Sequence, residues 1–188
     1  MRNRKLLNSE LGRPSLEEYK AMPKLPIVVV LDNVRSQFNI GATFRSADAF
    51  GVQEVMLCGI CAVPPSAEIH KSALGAELSV PWRYFGSTGD AVLALKAEGF
   101  TLVAVEQAER SISLEKFVEE ITGEKDGRIA EDNMRKIALI FGNEVFGVEQ
   151  EVVDECDCVV EIPQVGTKHS INVSVSVGVV LWELFRVR

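Results

Sequence analysis

The residues best suited to chemistry in this sequence follow two short apolar runs toward its carboxyl end. The run 137–141 leads into Gly142 and Glu144, and a second run precedes Ser170 and Asn172. Each run is short enough for a buried strand and gives way to Gly, Pro or Asn, where a chain can leave a sheet. Ligands of open α/β sheets bind outside the carboxyl ends of parallel strands. We therefore expect these polar residues to line a binding site with one carboxylate.

The spacing around this site matches neither common phosphate-binding loop. No G-x-x-x-x-G-K segment is present, and the stretch that begins at Gly142 lacks the second glycine of a dinucleotide fingerprint. Glycine-rich loops after strands are also common in α/β proteins that bind nothing there. The residues alone therefore predict a site without identifying its ligand.

Composition and charge predict one globular domain with a basic arm. The chain has 188 residues, of which 47% are hydrophobic and 25% charged, as is typical of a globular protein. Its net charge is -7, but residues 1–24 carry six basic and three acidic side chains, whereas residues 106–155 carry six basic and fourteen acidic ones. We predict an N-terminal basic arm over residues 1–24 and one domain over residues 25–188. A local basic surface is compatible with the acidic total.

No apolar run approaches the ~18 residues that a membrane span requires, and the apolar part of the amino terminus is too short for a signal peptide. We expect a cytoplasmic protein without a membrane partner, and hence reduced cysteines. Cys58-x-x-Cys61 and Cys156-x-Cys158 offer either four zinc ligands or four buried free thiols. The Cys-x-Cys half fits zinc spacing poorly, so we predict no metal site.

Apolar runs alternate with amphipathic segments along the chain. Strands are predicted near residues 26, 54, 101, 137 and 158, with helices between them. The first strand, Pro26 to Asp32, is rich in β-branched residues with little alternation, which is typical of burial on both faces. The predicted fold class is α/β, with a mostly parallel sheet and helices on both faces. Residues 123–134, which are charged and contain two glycines, are predicted to form a mobile surface loop.

The segment after the first strand contains two further candidates. A polar loop through Asn39 is predicted, followed by a helix from Ile40 to Phe50 that ends at Gly51. Asn39 is expected to fix this loop through hydrogen bonds from its side chain to the backbone. Arg45 falls on another face of the helix, about one and a half turns past Asn39, where a surface salt bridge is its simplest role.

The carboxyl-terminal segment admits two interpretations. Residues 170–177 alternate as a strand would, but extended to Arg186 such a strand would be about three times the usual ~5–6 residues. On a helix, the same segment has an apolar face and a stripe of small residues at Ser170, Ser174 and Gly178. We predict a helix whose stripe packs against another segment or a second subunit.

Three separated motifs resemble the SpoU family of RNA ribose 2'-O-methyltransferases, within the SPOUT superfamily. They are N-I-G-A-x-x-R-S-A-x-x-x-G from Asn39 to Gly51, F-G-N-E-x-x-G from Phe141 to Gly147, and I-P-x-x-G-x-x-x-S-x-N-V-S-V from Ile162 to Val175. The segment from Lys71 to Pro81 is also similar to the family's middle region. Each motif alone is weak, but the three at these spacings are specific, and the resemblance spans residues 26–188.

The resemblance implies a particular fold, cofactor and assembly. Family members thread the carboxyl-terminal chain through a loop, so a deep trefoil knot is expected over about residues 137–188, as an exception to unknotted topology. The loops of the knot are expected to hold S-adenosylmethionine, with the backbone at Gly142, Ile162 and Ile171 binding its adenosine part. A homodimer is also implied, with the site completed at the dimer interface.

The resemblance assigns Arg45, Asn39, Glu144, Ser170 and Asn172 to the catalytic site. Arg45 is the family's base for the ribose 2'-hydroxyl, but a guanidinium pKa above ~12 makes phosphate clamping at least as plausible a role. Glu144 either orients Arg45 or Asn172 or is a charge at a helix N-terminus, and Ser170 and Asn172 are also suited to helix capping. Guanidinium, carboxylate and amide are expected to converge beside the methyl donor.

The implied function is methyl transfer from S-adenosylmethionine to a ribose 2'-hydroxyl of structured RNA, tRNA or rRNA, by a homodimer. No DNA partner is expected. The alternative is a catalytically idle RNA-binding dimer on the same scaffold, which the intact set of five polar residues disfavours. The arm is shorter than the ~50 residues of a separate domain, so the dimer itself must bind the RNA. Phosphate contacts are expected from Arg2, Arg4, Lys5 and Arg13.

Overall fold

The structure is a computed structural model that describes residues 3–123 and 135–188. Within these residues, seven strands form one sheet in the order β3-β2-β1-β6-β4-β7-β5, and each pairing is parallel. The strands are β1 (Leu25–Asp32), β2 (Val52–Cys58), β3 (Trp82–Phe85), β4 (Thr101–Val105), β5 (Ile112–Ser113), β6 (Ile137–Phe141) and β7 (Cys158–Glu161). The predicted parallel sheet is confirmed.

Helices cover both faces of this sheet, which also confirms the predicted fold class. They are α1 (Leu16–Ala21), α2 (Gln37–Phe50), α3 (Ala67–Ala73), α4 (Ala76–Ser79), α5 (Thr88–Ala97), α6 (Leu114–Thr122), α7 (Gln150–Asp154) and α8 (Val173–Arg186). Apolar side chains of α2, α3, α4, α6 and α8 form one core layer. Those of α5 and α7 form the layer on the opposite face of the sheet.

Strand β1 lies near the middle of the sheet and is buried on both faces, as its composition predicts. Ile27, Val29 and Leu31 pack in the layer of α2 and α8, whereas Val28 and Val30 pack in the layer of α5. The neighbouring β6 is buried throughout. Because successive side chains point to opposite faces, a strand between two helical layers must be apolar at every position.

Helix α2 begins three residues before the predicted start, at Gln37 and not at Ile40. The Ser36 side chain caps it by accepting a hydrogen bond from the Asn39 backbone N–H at 3.2 Å. Gly51 ends the helix with a left-handed backbone, at φ 66°. Asn39 therefore lies in the first turn of the helix. Its predicted place in a loop is wrong, because the serine cap allows the polar segment to be helical.

Helix α8 confirms the helical interpretation of the carboxyl-terminal segment. Its buried side chains are Val173, Val177, Val180, Leu181 and Leu184. The helix packs against α2, where a Cβ built on Gly178 would lie 3.9 Å from the Ser46 hydroxyl. Ser170 precedes the helix, which begins after its cap at Asn172. The small-residue stripe therefore starts at Ser174, and Gly178 packs on a segment of the same chain.

The described part of the arm lies against the domain through α1. The Tyr19 hydroxyl donates to the Asp48 carbonyl oxygen of α2 at 2.9 Å. Arg4, one of the expected phosphate contacts, makes two 2.9 Å bonds to the Glu10 carboxylate. Lys5 and Arg13 are exposed.

Several predictions fall outside the described residues. Arg2 lies outside them. The predicted loop at 123–134 also lies outside them, except for Gly123, which is the C-terminal cap of α6. Across residues 3–123 and 135–188, no helix is long and apolar enough to cross a bilayer. The trefoil knot at 137–188 and the division at residue 24 remain predictions.

Candidate functional site

The carboxyl ends of β4, β6 and β7 open into a cavity of about 590 Å³. It is lined mainly by residues 105–108, 141–148, 161–162 and 169–173. Three carboxylates lie in this lining, from Glu106, Glu144 and Glu161, and the described lining residues include no lysine or arginine. The cavity is therefore suited to a neutral or cationic ligand and poorly suited to a phosphate chain.

Gly142 allows two backbone segments to meet at the floor of this cavity. The backbones of Asn143 and Gly147 exchange two hydrogen bonds, of 3.0 and 2.9 Å. A Cβ built on Gly142 would lie 1.9 Å from the Gly147 carbonyl carbon, a contact that no side chain can make. Gly147 itself has φ +71°, in the left-handed region that favours glycine. Two glycines of one motif thus define the shape of the turn.

Two polar residues that the motif analysis did not single out for the site hold this turn in place. The buried Asn143 donates from Nδ2 to the Asn33 carbonyl oxygen at 2.7 Å, and its Oδ1 accepts from the Val145 N–H at 2.8 Å. The Glu106 carboxylate accepts from the backbone N–H groups of Val148, at 3.1 Å, and Gln107, at 2.8 Å. These bonds tie the segment after β4 to the segment after β6.

Asp32 anchors neighbouring segments in the same way at the end of β1. It is fully buried, and its carboxylate accepts from the Thr88 hydroxyl at 2.5 Å and the Glu149 N–H at 2.9 Å. Asp32 and Glu106 share a sequence signal, since each is an acidic residue at the end of an apolar strand or directly after one.

Three of the predicted catalytic residues are joined by hydrogen bonds. Asn39 donates from Nδ2 to Glu144 Oε1 at 2.9 Å, and Asn172 donates from Nδ2 to Asn39 Oδ1 at 3.1 Å. Asn172 Oδ1 accepts in turn from the Ser174 N–H at 2.9 Å and so caps α8. The expected backbone bonds from the Asn39 side chain are wrong, because that side chain bonds to Glu144 and Asn172. Helix α2, the β6 turn and α8 are thereby held in one arrangement.

Glu144 lies in the turn 143–147 and not at the start of a helix. The next helix, α7, begins only at Gln150. Of the two roles that the sequence left open for Glu144, the helix N-terminal charge is therefore wrong. Asn172, by contrast, combines both of its candidate roles, since it caps α8 and also bonds to Asn39.

The remaining predicted residues also face the cavity. Gly142, Ile162, Ser170 and Ile171 all line it. Ile162 packs partly buried against the core, whereas Ile171 is 37% exposed. The side chain of Gln107 donates to the His169 carbonyl oxygen at 2.7 Å, which ties the segment before α8 to the end of β4. The three expected cofactor residues therefore come together, and their binding roles remain predictions.

Arg45 is the exception. It is exposed on α2 and lines a different depression, together with Phe38, Lys71 and Leu74. The cavity beyond β6 is lined without it. The expectation that guanidinium, carboxylate and amide converge is therefore wrong for a single chain: the carboxylate and the two amides meet, and the guanidinium lies apart from them.

The four cysteines are free and cannot form one zinc site. Strands β2 and β7 carry the two pairs, and three strands lie between them in the sheet, at about 4.8 Å per strand. Burial raises the pKa of Cys58 and Cys156 to about 12 and that of Cys61 and Cys158 to about 11. These thiols are protonated at neutral pH, so they are poor metal ligands and weak nucleophiles.

Known proteins resemble this chain in sequence over most of its length. The sequence profile of the SpoU rRNA Methylase family matches residues 26–182. The 23S rRNA (guanosine-2'-O-)-methyltransferase RlmB of Nitrosomonas europaea is 34% identical over 160 residues, an alignment that covers 85% of this chain and 56% of that protein. The chain spans 56% to 66% of the length of this protein and of two further curated relatives that it matches.

Solved structures agree with the fold. The A. aeolicus TrmH/SpoU tRNA modifying enzyme superimposes with a TM-score of 0.73 at 27% identity, covering 91% of this chain and 79% of that one. The SpoU methyltransferase AviRb from Streptomyces viridochromogenes, in complex with the cofactor AdoMet, gives a TM-score of 0.72 at 25% identity, covering 90% and 63%. From the profile match across most of its length, the chain belongs to the SpoU rRNA methylase family.

Proposed function

We propose that the protein transfers a methyl group from S-adenosylmethionine to a ribose 2'-hydroxyl of structured RNA, and that it does so as a homodimer in the cytoplasm. The observation that carries the proposal is the hydrogen-bonded chain of Asn39, Glu144 and Asn172 at a cavity lined by carboxylates, with no lysine or arginine among its described lining residues. RNA as the substrate class is supported by the names of the relatives, which act on rRNA or tRNA.

The cavity fits S-adenosylmethionine in size and in charge. Its volume of about 590 Å³ lies within the ~300–1,000 Å³ typical of small-molecule sites. Ile162 and Ile171 offer apolar surface to an adenine ring, and the carboxylates of Glu106, Glu144 and Glu161 favour a cationic sulfonium. When bound, S-adenosylmethionine supplies an electrophilic methyl group that needs only in-line placement. In this proposal, the backbone at Gly142, Ile162 and Ile171 binds the adenosine part of the cofactor.

The residues of the chain must orient the ribose hydroxyl, which releases its proton to solvent as its oxygen bonds to the methyl carbon and the bond from that carbon to sulfur breaks. A 2'-hydroxyl is a poor nucleophile, so its position and the removal of its proton limit the rate. Glu144 and Asn172 line the cavity and are each fixed by a bond to the buried Asn39, so they present preorganised polar groups to the hydroxyl. In this proposal Arg45 grips the adjacent phosphate with its planar fork and orients the hydroxyl.

A dimer brings Arg45 to this site. The outer face of α2 and α8 exposes Phe38 (64%), Val175 (53%) and Trp182 (52%), which is more apolar surface than two solvent-facing helices ordinarily show. Arg45 lies beside Phe38 in the depression on the same face. Pairing of this face about a two-fold axis buries the apolar side chains. In the proposed dimer, Arg45 of one subunit enters the site of the other.

The experiment that tests the proposal combines binding with catalysis. Isothermal titration calorimetry with S-adenosylmethionine measures the cofactor site directly, and Gly142→Ala provides a variant with a blocked floor. Incubation with labelled S-adenosylmethionine and unmodified tRNA or rRNA, followed by mapping of the labelled nucleotide, measures transfer. We expect heat of binding, and label on a ribose. RNA binding without either result would identify the catalytically idle dimer instead.

A further inference from the structure

A second cavity of about 590 Å³ lies between α3, α4 and the start of β3, and the proposed methyl transfer does not use it. It is lined by the segment Pro64 to Ala67 and by His70, Glu77, Leu78 and Trp82. Its surface is largely apolar, and one carboxylate is buried in its wall. The chemistry of that carboxylate determines which ligand the cavity can accept.

The Glu77 carboxylate is only half satisfied. The residue is 8% exposed, and its Oε1 lies 2.5 Å from His70 Nδ1. Its Oε2 is buried and has no hydrogen-bond partner in the described part of the chain. A buried acceptor without a donor is costly, and a carboxylate accepts but does not donate. Because Oε2 has less than 1 Å² of accessible surface, a ligand reaches it only when the Glu77 side chain turns toward the cavity, and that ligand must present an N–H or O–H donor.

The other walls suit a flat aromatic ligand. Trp82 is half-buried, Leu78 is 61% exposed, and the two prolines add rigid apolar surface. Unpaired bases of RNA are bound by stacking on aromatic side chains, combined with hydrogen bonds to the base edge. A metal ion is a poorer candidate, because no group of three or more His, Cys, Asp or Glu side chains gathers within the described residues.

Cations next to the cavity favour a nucleotide over a protein side chain. Helix α3 carries His70 into this cavity and the next residue, Lys71, into the depression that also holds Arg45. In the described residues neither Lys71 nor Arg45 forms an ion pair. An apolar cavity and a cationic depression that are both lined by α3 match the two halves of a nucleotide, base and phosphate.

We infer that this cavity binds one unpaired base of the RNA substrate, with its ring against Trp82 and an amino group donating to Glu77 Oε2. The inference rests on the proposed function and adds a base preference to it. Cytosine, adenine and guanine each carry an amino donor on the edge that is exposed in an unpaired base. Uracil flanks its single N–H with two carbonyl oxygens, which the carboxylate repels.

The cavity is linked to the proposed reaction site through α2. The Ser66 hydroxyl, which lines the cavity, donates to Gln37 Oε1 at 2.5 Å. Gln37 is in the first turn of α2 with Asn39, which bonds to Glu144. A base held in the cavity therefore fixes the RNA relative to the element that carries two of the proposed site residues, Asn39 and Arg45.

The test compares short fluorescein-labelled oligocytidylate and oligouridylate RNAs by fluorescence anisotropy, with wild-type protein and Glu77→Gln. The wild type is expected to bind oligocytidylate about tenfold more tightly, the value of one hydrogen bond to a charged acceptor. Glu77→Gln keeps the shape of the side chain but removes its charge, so the two affinities should converge to within about twofold.

The two tryptophans of the chain supply an internal control. In ¹H–¹⁵N spectra, oligocytidylate should shift the indole signal of Trp82 in the cavity more than that of Trp182 on α8. Equal affinities for both RNAs, with an unmoved Trp82 signal, would overturn the inference while leaving S-adenosylmethionine binding intact. A cationic peptide that shifts the Trp82 indole signal, when neither RNA shifts it, would also overturn the inference. Absence of S-adenosylmethionine binding would instead overturn the proposed function.

Discussion

The cavity beyond β6 and the outer face of α2 differ in how many of their side chains find partners within one chain. At the cavity, Asn39 bonds to both Glu144 and Asn172, and Glu106 anchors the adjoining turn. On the outer face of α2, Arg45 lies exposed beside apolar side chains that are also exposed. The first region is finished within the chain, whereas in the described residues the second leaves the charge of Arg45 without an ion pair and its apolar side chains exposed.

This difference indicates how the proposed chemistry is divided. Groups that shape a cofactor pocket must be held before the ligand arrives, so they belong to the finished region. A group that grips RNA phosphate gains from being exposed until the substrate binds. The dimer proposal joins the two, because the apolar face that needs covering is also the face that carries Arg45.

Substitution of Arg45 should have the largest effect. Arg45→Ala is expected to lower the rate of methyl transfer by about 10²-fold, since the hydroxyl loses the group that orients it and a misplacement of ~1 Å can cost ~10²-fold. S-adenosylmethionine affinity and melting temperature should not change, because the side chain is exposed and lies outside the cavity. Arg110→Ala, at another exposed arginine, is the matched control and should retain the rate. A wild-type rate for Arg45→Ala would remove it from the site.

Gly142→Ala should damage the finished region itself. The added Cβ meets backbone 1.9 Å away, so the turn must shift, and we expect a loss of about 3 kcal/mol in the free energy of unfolding together with loss of cofactor binding. Gly86→Ala is the control, since a Cβ there meets nothing within 4 Å. Urea denaturation and calorimetry measure both effects, and equal stabilities of the two variants would contradict the described turn.

Val175→Glu should separate the subunits while leaving each fold intact. The side chain is 53% exposed on α8, and a charge there must be desolvated when the face pairs. We expect association to weaken by about 2 kcal/mol, measured by sedimentation velocity, with a parallel loss of methyl transfer. Leu93→Glu makes the same change at a 66% exposed residue of α5, on the opposite face of the sheet, and should leave the dimer unaffected. A dimer that persists in the Val175→Glu variant would place the interface elsewhere.

The smallest predicted effect is the coupling within the hydrogen-bonded chain. A double-mutant cycle with Asn39→Ala and Glu144→Ala should give an interaction energy of about 1 kcal/mol, because solvent screens the exposed Glu144 carboxylate. Thermal denaturation of the two single variants and the double variant measures it. Additive losses would mean that the 2.9 Å bond contributes nothing to stability.

Much of the fold follows from local sequence. Strands β1 and β6 are predicted by their uninterrupted apolar runs, and the long helix α8 by the length of its segment. The strands β3 (Trp82–Phe85) and β5 (Ile112–Ser113) are missed, because four and two residues are too few to show a period. Their strand conformation depends on pairing with β2 and β7.

The candidate site divides in the same way. The motif residues Gly142, Ile162 and Ile171 are expected at the strand ends and do line one cavity. The contribution of Glu106 is not predictable from its own segment, because it depends on the Val148 N–H, which lies 42 residues away along the chain. The separation of Arg45 follows from its helical face, and the pairing of that face with a second chain remains a proposal.

The most direct test of the divided site mixes two inactive variants. Arg45→Ala and Glu144→Ala subunits are co-expressed with different tags, and the mixed dimer is isolated and assayed for methyl transfer. If Arg45 of one subunit serves the Glu144 of the other, each mixed dimer contains one intact site and one doubly altered site. We predict about half of the wild-type rate per dimer, since one of two sites is intact. A mixed dimer as inactive as its parents would show that Arg45 and Glu144 act within one chain or not at all, and would contradict the account.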